Sequence, residues 1–422
     1  MPRPITLVAQ GSRGDIQPYV ALGVALQRQG HGVCLVAPAL FAALAHEAGL
    51  PFAGLPVEAD PQRLVRDPRI QAAAQRGGQL AVLFTLLRVV QPTLDALFAA
   101  IGQACSTAEA LVAGSIPFGI LDSAELCSVP AVWAPLHALR PTRAFPNVFF
   151  APRWLRAGHV LNPATHHLMQ ATLWLAMRGA LNRWRRSVGL RPHTWQSYFA
   201  WMEQRRTPTV YGFSSAVLPT PHEYPLHHQV SGYWFLDPPA GWQPPLALAR
   251  FLANGLPPVA IGFGSMDHQR PAQVTSLVLE ALQQSGQRAV LIAGWGGLGG
   301  GALPPEVLCM DDVPHRWLFP QTAAVVHHGG AGTTAAGLCA GVPSIITPVA
   351  ADQFFWARRV AELGVGIAAP RLSQLSAATL ATALLRATSD ATMKHKAAAL
   401  GGRLGAEDGA AHAARLIARV IT

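Results

Sequence analysis

A short apolar run, a glycine-bearing turn, a helix and a second apolar run recur three times in this chain. The first copy takes Ile5 to Gln10, the turn GSRGD, a helix from Ile16 to Gln29 with Tyr19, Leu22 and Leu26 on one face, Gly30, and Val33 to Ala37. The second takes PVAIGF from Pro258, the turn GSMDHQ, a helix through Val274 to Leu282, Gly286, and RAVLIAG. The third takes AAVVHH, a glycine-rich turn, a helix to Ala340, Gly341, and PSIITPV. Strand, helix and strand in about thirty residues form a βαβ unit, which requires parallel strands. Two separate runs of such units in 422 residues predict an α/β protein with two Rossmann-like domains.

The boundaries follow from composition. Residues 1–218 form the expected first domain. Pro219 to Pro245, rich in proline, histidine and tryptophan, is the expected linker, and 246–403 the second domain. A hydrophobic share of 50% with 13% charged residues argues against disorder. Lys plus Arg number 32 against 22 Asp plus Glu, a balance of +10 that favours anionic partners without choosing among them. Five scattered cysteines suggest neither a disulfide framework nor a zinc knuckle, so a cytoplasmic setting is expected. The first apolar run is too short for a signal peptide core. Trp317 to Ala351 has no charged residue, but its Gly, Pro and His fit a buried strand, turn and helix better than a membrane span. Met169, Leu173, Met177, Leu181 and Trp184 form an apolar helical stripe, with Arg178, Asn182, Arg185 and Arg186 on another face, read as solvated, a membrane surface being the alternative.

The densest chemistry is HHGGAGTT, His327 to Thr334, followed eighteen residues later by Asp352-Gln353. A diphosphate needs several donors that approach closely, and a glycine turn opening a helix supplies backbone N–H groups and the positive dipole end. Gly329, Gly330 and Gly332 give clearance, Thr333 and Thr334 add hydroxyls, and His328 offers an imidazole N–H, with His327 the lesser choice. The alternative is a tight turn capped by threonine. Asp352 and Gln353 follow a strand end, where they could grip vicinal sugar hydroxyls or cap the next helix. A nucleotide sugar is a ligand with both parts. Asp15, beside the first glycine turn, could act as a base or cap its helix; Arg13 could meet phosphate or solvent, and His137 is a reserve base. Adjacent histidines on an extended segment point apart, and no metal-binding motif appears, so no metal site and no cofactor are expected. The first turn is not G-x-G-x-x-G and no acid ends the second strand, which disfavours a dinucleotide oxidoreductase.

These pieces resemble the GT-B-fold glycosyltransferases of family 1, in their sterol 3-beta-glucosyltransferase-like branch. The similarity lies in GSRGDIQPYVALGVALQRQGH, SGYWFLDPPAGWQPP, VAIGFGSM, and the stretch from VPHRWLF to ELGVG, and is loose from about residue 40 to 215. The resemblance implies two Rossmann-like domains facing across a cleft, with a final helix, 404–422, crossing back to the first. It implies inverting, metal-independent transfer of a sugar, glucose above others, from a nucleotide-diphosphate sugar such as UDP-glucose to a lipophilic hydroxyl acceptor such as a sterol. On this pattern Asp15 is the base, Ser265 a phosphate contact, and His328, Gly330, Gly332 and Thr333 the diphosphate cradle. Asp352 and Gln353 hold the sugar, and Val313 and Trp295 lie by the nucleobase. Plant-type relatives carry a ribose-binding Glu where this chain has Ala336, which leaves UDP against dTDP open. The competing expectations are a nucleotide-sugar-binding protein without turnover and a natural-product enzyme using a dTDP-deoxysugar. No nucleic-acid module appears, and peripheral membrane association stays open.

Overall fold

Runs such as ITLV, VAIG and AVVH have no polar face, so they are stable only when covered on both sides, as in a parallel sheet. A computed structural model describes residues 4–56, 60, 63–64, 67–76, 79–150, 155, 158–194, 197–239, 241–264, 271–294 and 297–421. The chain divides into two compact units, Met1–Leu236 with Glu407–Thr422, and Asp237–Ala406.

The first unit holds β1 (Ile5–Val8), β2 (Val33–Pro38), β3 (Phe52–Leu55), β4 (Ala110–Ala113), β5 (Ala131–Trp133), β6 (Thr209–Tyr211) and β7 (His228–Val230). They form one sheet in the order β3-β2-β1-β4-β5-β6-β7, with every pairing parallel. The second unit holds β8 (Val259–Gly262), β9 (Ala289–Ile292), β10 (Val307–Met310), β11 (Ala324–His327), β12 (Ser344–Ile346) and β13 (Gly366–Ala368). Their order is β10-β9-β8-β11-β12-β13, again parallel throughout. Strand order reverses beside β1 in one sheet and beside β8 in the other. Open α/β sheets bind ligands outside the carboxyl ends of strands at such switch points. The two expected Rossmann-like sheets are present, and β1, β4, β8 and β11 carry their following turns to the switch points.

Several local expectations shift. The stretch offered as linker begins inside the first unit, because His228–Val230 pairs with Thr209–Tyr211 as β7. Trp234 is buried edge-on against Tyr19, with ring centroids 5.7 Å apart. The helix Gly409–Ile421 buries Ala413, Ala414 and Ile417 in the same core as Tyr19 and Leu22. Its entry is tight: a Cβ on Gly409 would lie 2.3 Å from the Tyr233 carbonyl oxygen, so glycine is required there. The helix Asn162–Ser187 buries Met169, Met177, Leu181 and Trp184 as expected. Arg185 departs from the solvated face. It is buried and donates to Asp122 Oδ1 at 2.5 Å and to Glu125 Oε2 at 3.0 Å. Asp122 also accepts from the Tyr198 hydroxyl at 2.7 Å and the Gly119 N–H at 2.9 Å, and His193 Nε2 lies 2.7 Å from its Oδ1. Charged partners hold its carboxyl below the usual range although burial pushes the other way.

Candidate active site

In the second unit, β8 and β11 run side by side with Gly262 in register with His327, so the turns that follow them adjoin. A Cβ placed on Gly264 would fall 2.7 Å from His328 Cε1, and one on Gly330 would fall 2.6 Å from His328 Nε2. The His328 ring is thus seated between the glycine of one turn and that of the next, in space a side chain would fill. The third loop arrives just as closely. A Cβ on Gly329, whose φ is +94°, would meet Ile346 Cγ2 at 2.5 Å and the Gln353 carbonyl oxygen at 3.2 Å. The glycine turn and the Asp352-Gln353 segment are therefore packed against each other at the ends of β11 and β12.

The helix Ala331–Ala340 opens from Gly330 with no side-chain cap and no acidic residue in its first turn. Its first N–H groups, at Ala331, Gly332 and Thr333, have no partners inside the helix, and its dipole is not offset there. Gly332 and Thr333 are half-buried, whereas Thr334 is buried with no hydrogen-bond partner for its hydroxyl among the described residues. Thr334 therefore supplies no outward hydroxyl, against expectation.

The two histidines divide their work. His327 is completely buried, and its Nδ1 accepts the Gly329 N–H at 3.0 Å. Burial drives its pKa well below the ordinary histidine value, so the ring is neutral. His327 is thus an internal brace for the turn and not a phosphate contact. Its neighbour His328 is the half-buried one.

Asp352 and Gln353 are also braced. Gln353 Oε1 accepts the Val349 N–H at 2.7 Å and the Ala350 N–H at 3.0 Å, so its carbonyl oxygen serves the loop and its amide N–H₂ is the group left to donate. Asp352 stands at the N-cap of the helix Gln353–Leu363 without a side-chain cap bond; its Oδ2 accepts the Trp356 indole N–H at 2.8 Å. Trp356 is one helical turn on, the i,i+4 spacing at which helical side chains meet, and went unnoticed in the sequence. Ala351 has φ +52°, a left-handed conformation costly for a residue with a Cβ, at the entry to this pair. Val313, after β10, turns its side chain into the core; Ser265 and Trp295 lie outside the described residues. Ala336 is buried too, facing the interior.

In the first unit the switch-point turn follows β1. Ser12 is the N-cap of the helix Arg13–Arg28 and Asp15 its N3 residue: Asp15 Oδ2 accepts the Ser12 N–H at 2.8 Å and the Ser12 hydroxyl at 2.9 Å. Asp15 thus caps from N3 and not from the N-cap position, and the helix starts ahead of the expected Ile16. A Cβ on Gly11 would lie 2.5 Å from Asp15 Oδ2, so the carboxylate rests directly on the glycine turn. Tyr19, one turn along, donates its hydroxyl to the Ala134 carbonyl at 2.7 Å, tying the helix to the loop after β5. Arg13 is exposed; His137, on that loop, is buried with its ring 5.1 Å from Phe149.

Two open parallel sheets, each with glycine-bearing turns at a topological switch point, define a double-Rossmann α/β protein. Residues 5–116 match the glycosyltransferase family 28 N-terminal domain, and residues 291–414 the C-terminal domain of the erythromycin biosynthesis protein CIII-like family. The sterol 3-beta-glucosyltransferase of Emericella nidulans is 35% identical over 437 residues, covering 99% of this chain and 30% of that protein. The chain thus spans about 30% of the length of the curated relatives it matches. Among solved structures, the glycotransferase of kitacinnamycin superposes with a TM-score of 0.71 at 19% identity, covering 100% of both chains. Glycosyltransferase VinC in complex with dTDP gives 0.68 at 16% identity, covering 99% of both; these two likenesses bear on fold alone. The chain thus has the GT-B fold of these structures and is similar in sequence to the sterol 3-beta-glucosyltransferases.

Proposed function

We propose that the chain transfers a sugar, glucose in the first instance, from a nucleotide-diphosphate sugar to the hydroxyl of a lipophilic acceptor such as a sterol, with inversion and without a metal. The observation that carries the donor half is the packing of Gly329 against Gln353, which sets an uncapped helix N-terminus beside Asp352. Backbone N–H groups and the His328 turn are suited to a departing diphosphate; Asp352 and the Gln353 amide are suited to sugar hydroxyls. The helix start supplies the positive potential that a metal supplies in other transferases, so none is invoked. Asp15 takes the acceptor proton as its oxygen attacks the anomeric carbon, and the nucleoside diphosphate leaves with the electron pair of the broken bond. Ser265, the backbone around Val313, and Trp295 complete the proposed nucleotide contacts, and Arg13 and His137 border the proposed acceptor side.

UDP is the proposed nucleotide, with dTDP as the second reading. The inward-facing Ala336 favours neither, since no carboxylate stands there to hold a ribose. A cytoplasmic setting with peripheral membrane association fits exposed Val160, Leu161, Leu168 and Leu175 on and before the helix Asn162–Ser187.

The test is mass spectrometry of products from UDP-glucose and dTDP-glucose with pooled sterols and other hydrophobic alcohols. A glycoside is expected, and Asp15→Ala should lower its rate about 100-fold or more, the usual share of a general base. Nucleotide binding with no product from any pair would favour a binding protein without turnover. Full activity in Asp15→Ala would remove the assigned base.

A further inference from the structure

A second cluster of chemistry-bearing side chains lies in the first unit, where β7 begins. Adjacent histidines in mid-strand point to opposite faces, but His227 and His228 are not in mid-strand. The His228 N–H donates to the Pro225 carbonyl at 2.8 Å, closing a turn just before β7. The turn sets the two rings on one side, with centroids 4.7 Å apart. Glu203, near the end of the helix Tyr198–Gln204, reaches the same spot. One donor atom from each of Glu203, His227 and His228 lies within 4.8 Å of the others.

We propose that Glu203, His227 and His228 bind a divalent transition metal of the zinc type. The distances fit. Two ligands about 2.05 Å from a tetrahedral zinc stand about 3.3 Å apart. His228 Nε2 and Glu203 Oε1 are 3.5 Å apart. The outer hydrogen bond fits as well. The Tyr211 hydroxyl lies 3.0 Å from His228 Nδ1 and can accept from it, an outer hydrogen bond that would leave Nε2 as the ligand atom facing Glu203. His227 Nε2 is buried with no hydrogen-bond partner among the described residues, so a metal would satisfy it. Glu203 and His228 also line a cavity of about 450 Å³, which gives an ion an entry path and leaves coordination positions for water.

A cation already uses part of this acceptor set. Arg140 Nη1 is paired with Glu203 Oε1 and lies 3.4 Å from His228 Nε2. Metal and guanidinium therefore compete, and Arg140, itself on the cavity wall, must turn aside for the ion to bind. The site is separate from the Asp15 turn. Register runs Val8, Ala113, Trp133, Thr209, His228 across the sheet. Four strand spacings of about 4.8 Å put the cluster about 19 Å from β1. The proposal therefore stands independently of the sugar-transfer reading.

The experiment is a zinc titration of the untagged chain by calorimetry, repeated with cobalt, whose visible absorption reports tetrahedral coordination. One chelator-reversible site is expected. Glu203→Gln and His227→Ala, at exposed and half-buried positions, should keep the fold by circular dichroism and weaken that site about tenfold or more. Arg140→Gln, which removes the competitor, should tighten it. Absence of a site, or a site whose affinity both ligand substitutions leave unchanged, overturns the proposal. An affinity that Arg140→Gln fails to raise overturns the competition.

Discussion

Removing the His327 ring separates a brace from a ligand at the glycine turn. In His327→Ala the Gly329 N–H loses the Nδ1 acceptor it meets at 3.0 Å, in a place water does not reach. A buried donor left unpaired costs about 1–3 kcal/mol, and the void left by a fully buried ring adds to it. The sum, about 3–5 kcal/mol, is a large part of the stability of a domain of this size. His327→Asn discriminates between the two contributions, because the Asn Oδ1 occupies nearly the position of Nδ1 and restores the acceptor while leaving most of the void. Urea unfolding should rank wild type above Asn above Ala, with Asn recovering about 1–2 kcal/mol. Calorimetric UDP affinity should follow the same rank, since the turn that Gly329 closes also aims the N–H groups of the next helix. An Ala variant as stable as wild type, or an Asn variant no better than Ala, would refute the brace.

Three further outcomes follow from the same geometry. Arg185→Ala leaves Asp122 charged and buried, so the midpoint of urea unfolding should fall by the equivalent of about 3–5 kcal/mol; a loss under 1 kcal/mol would mean that the network is not held by charge. Ala351→Gly relieves the left-handed conformation at φ +52° and should stabilise the second unit by about 1 kcal/mol in thermal unfolding, with a net loss contradicting the strain. Acid should destabilise the fold before any carboxylate titrates. His166 and His228, held by burial at about 4 and about 3, and His327, also lowered, stay neutral in the folded chain but protonate near 6.5 when unfolded. The unfolded state therefore takes up the extra protons, and stability is lost as pH falls below about 6.5 toward those folded values. The slope is up to about 1.4 kcal/mol per pH unit for each histidine. Equal urea midpoints at pH 7.5 and 5.5 would rule this out.

What could be read in advance was whatever the backbone dictates over short range. Ile5–Val8, Val259–Gly262 and Ala324–His327 are legible because a strand buried on both faces has to be apolar throughout. The glycines that end them are legible because no side chain fits where Gly11 meets Asp15 or Gly329 meets Ile346. From those two facts the parallel sheets and the location of the turns follow. What could not be read is where each polar atom of a turn is already engaged. His327 and His328 are equivalent in a motif, yet pairing of β11 with β8 and β12 turns the first inward. Asp352-Gln353 looks like two sugar contacts, but Gln353 Oε1 is taken by backbone N–H groups three and four residues back.

Partners distant in sequence have no local trace at all. Arg185 looks like a solvated helix face until Asp122, 63 residues away, is brought under it, and His227-His228 looks like a pair pointing apart until the Pro225 turn closes and Glu203 arrives. The same gap affects the reading of catalytic residues. Asp15 is both the proposed base and the N3 member of a capping pair, and its Oδ2 bonds to Ser12 are made whether or not an acceptor is bound. Capping and catalysis make different demands on that side chain: a cap needs only an oxygen, which Asn keeps, whereas a base needs a carboxylate that can take a proton. A folded and inactive Asp15→Asn would assign the charge to chemistry, and a folded and active one would leave Asp15 as a cap alone.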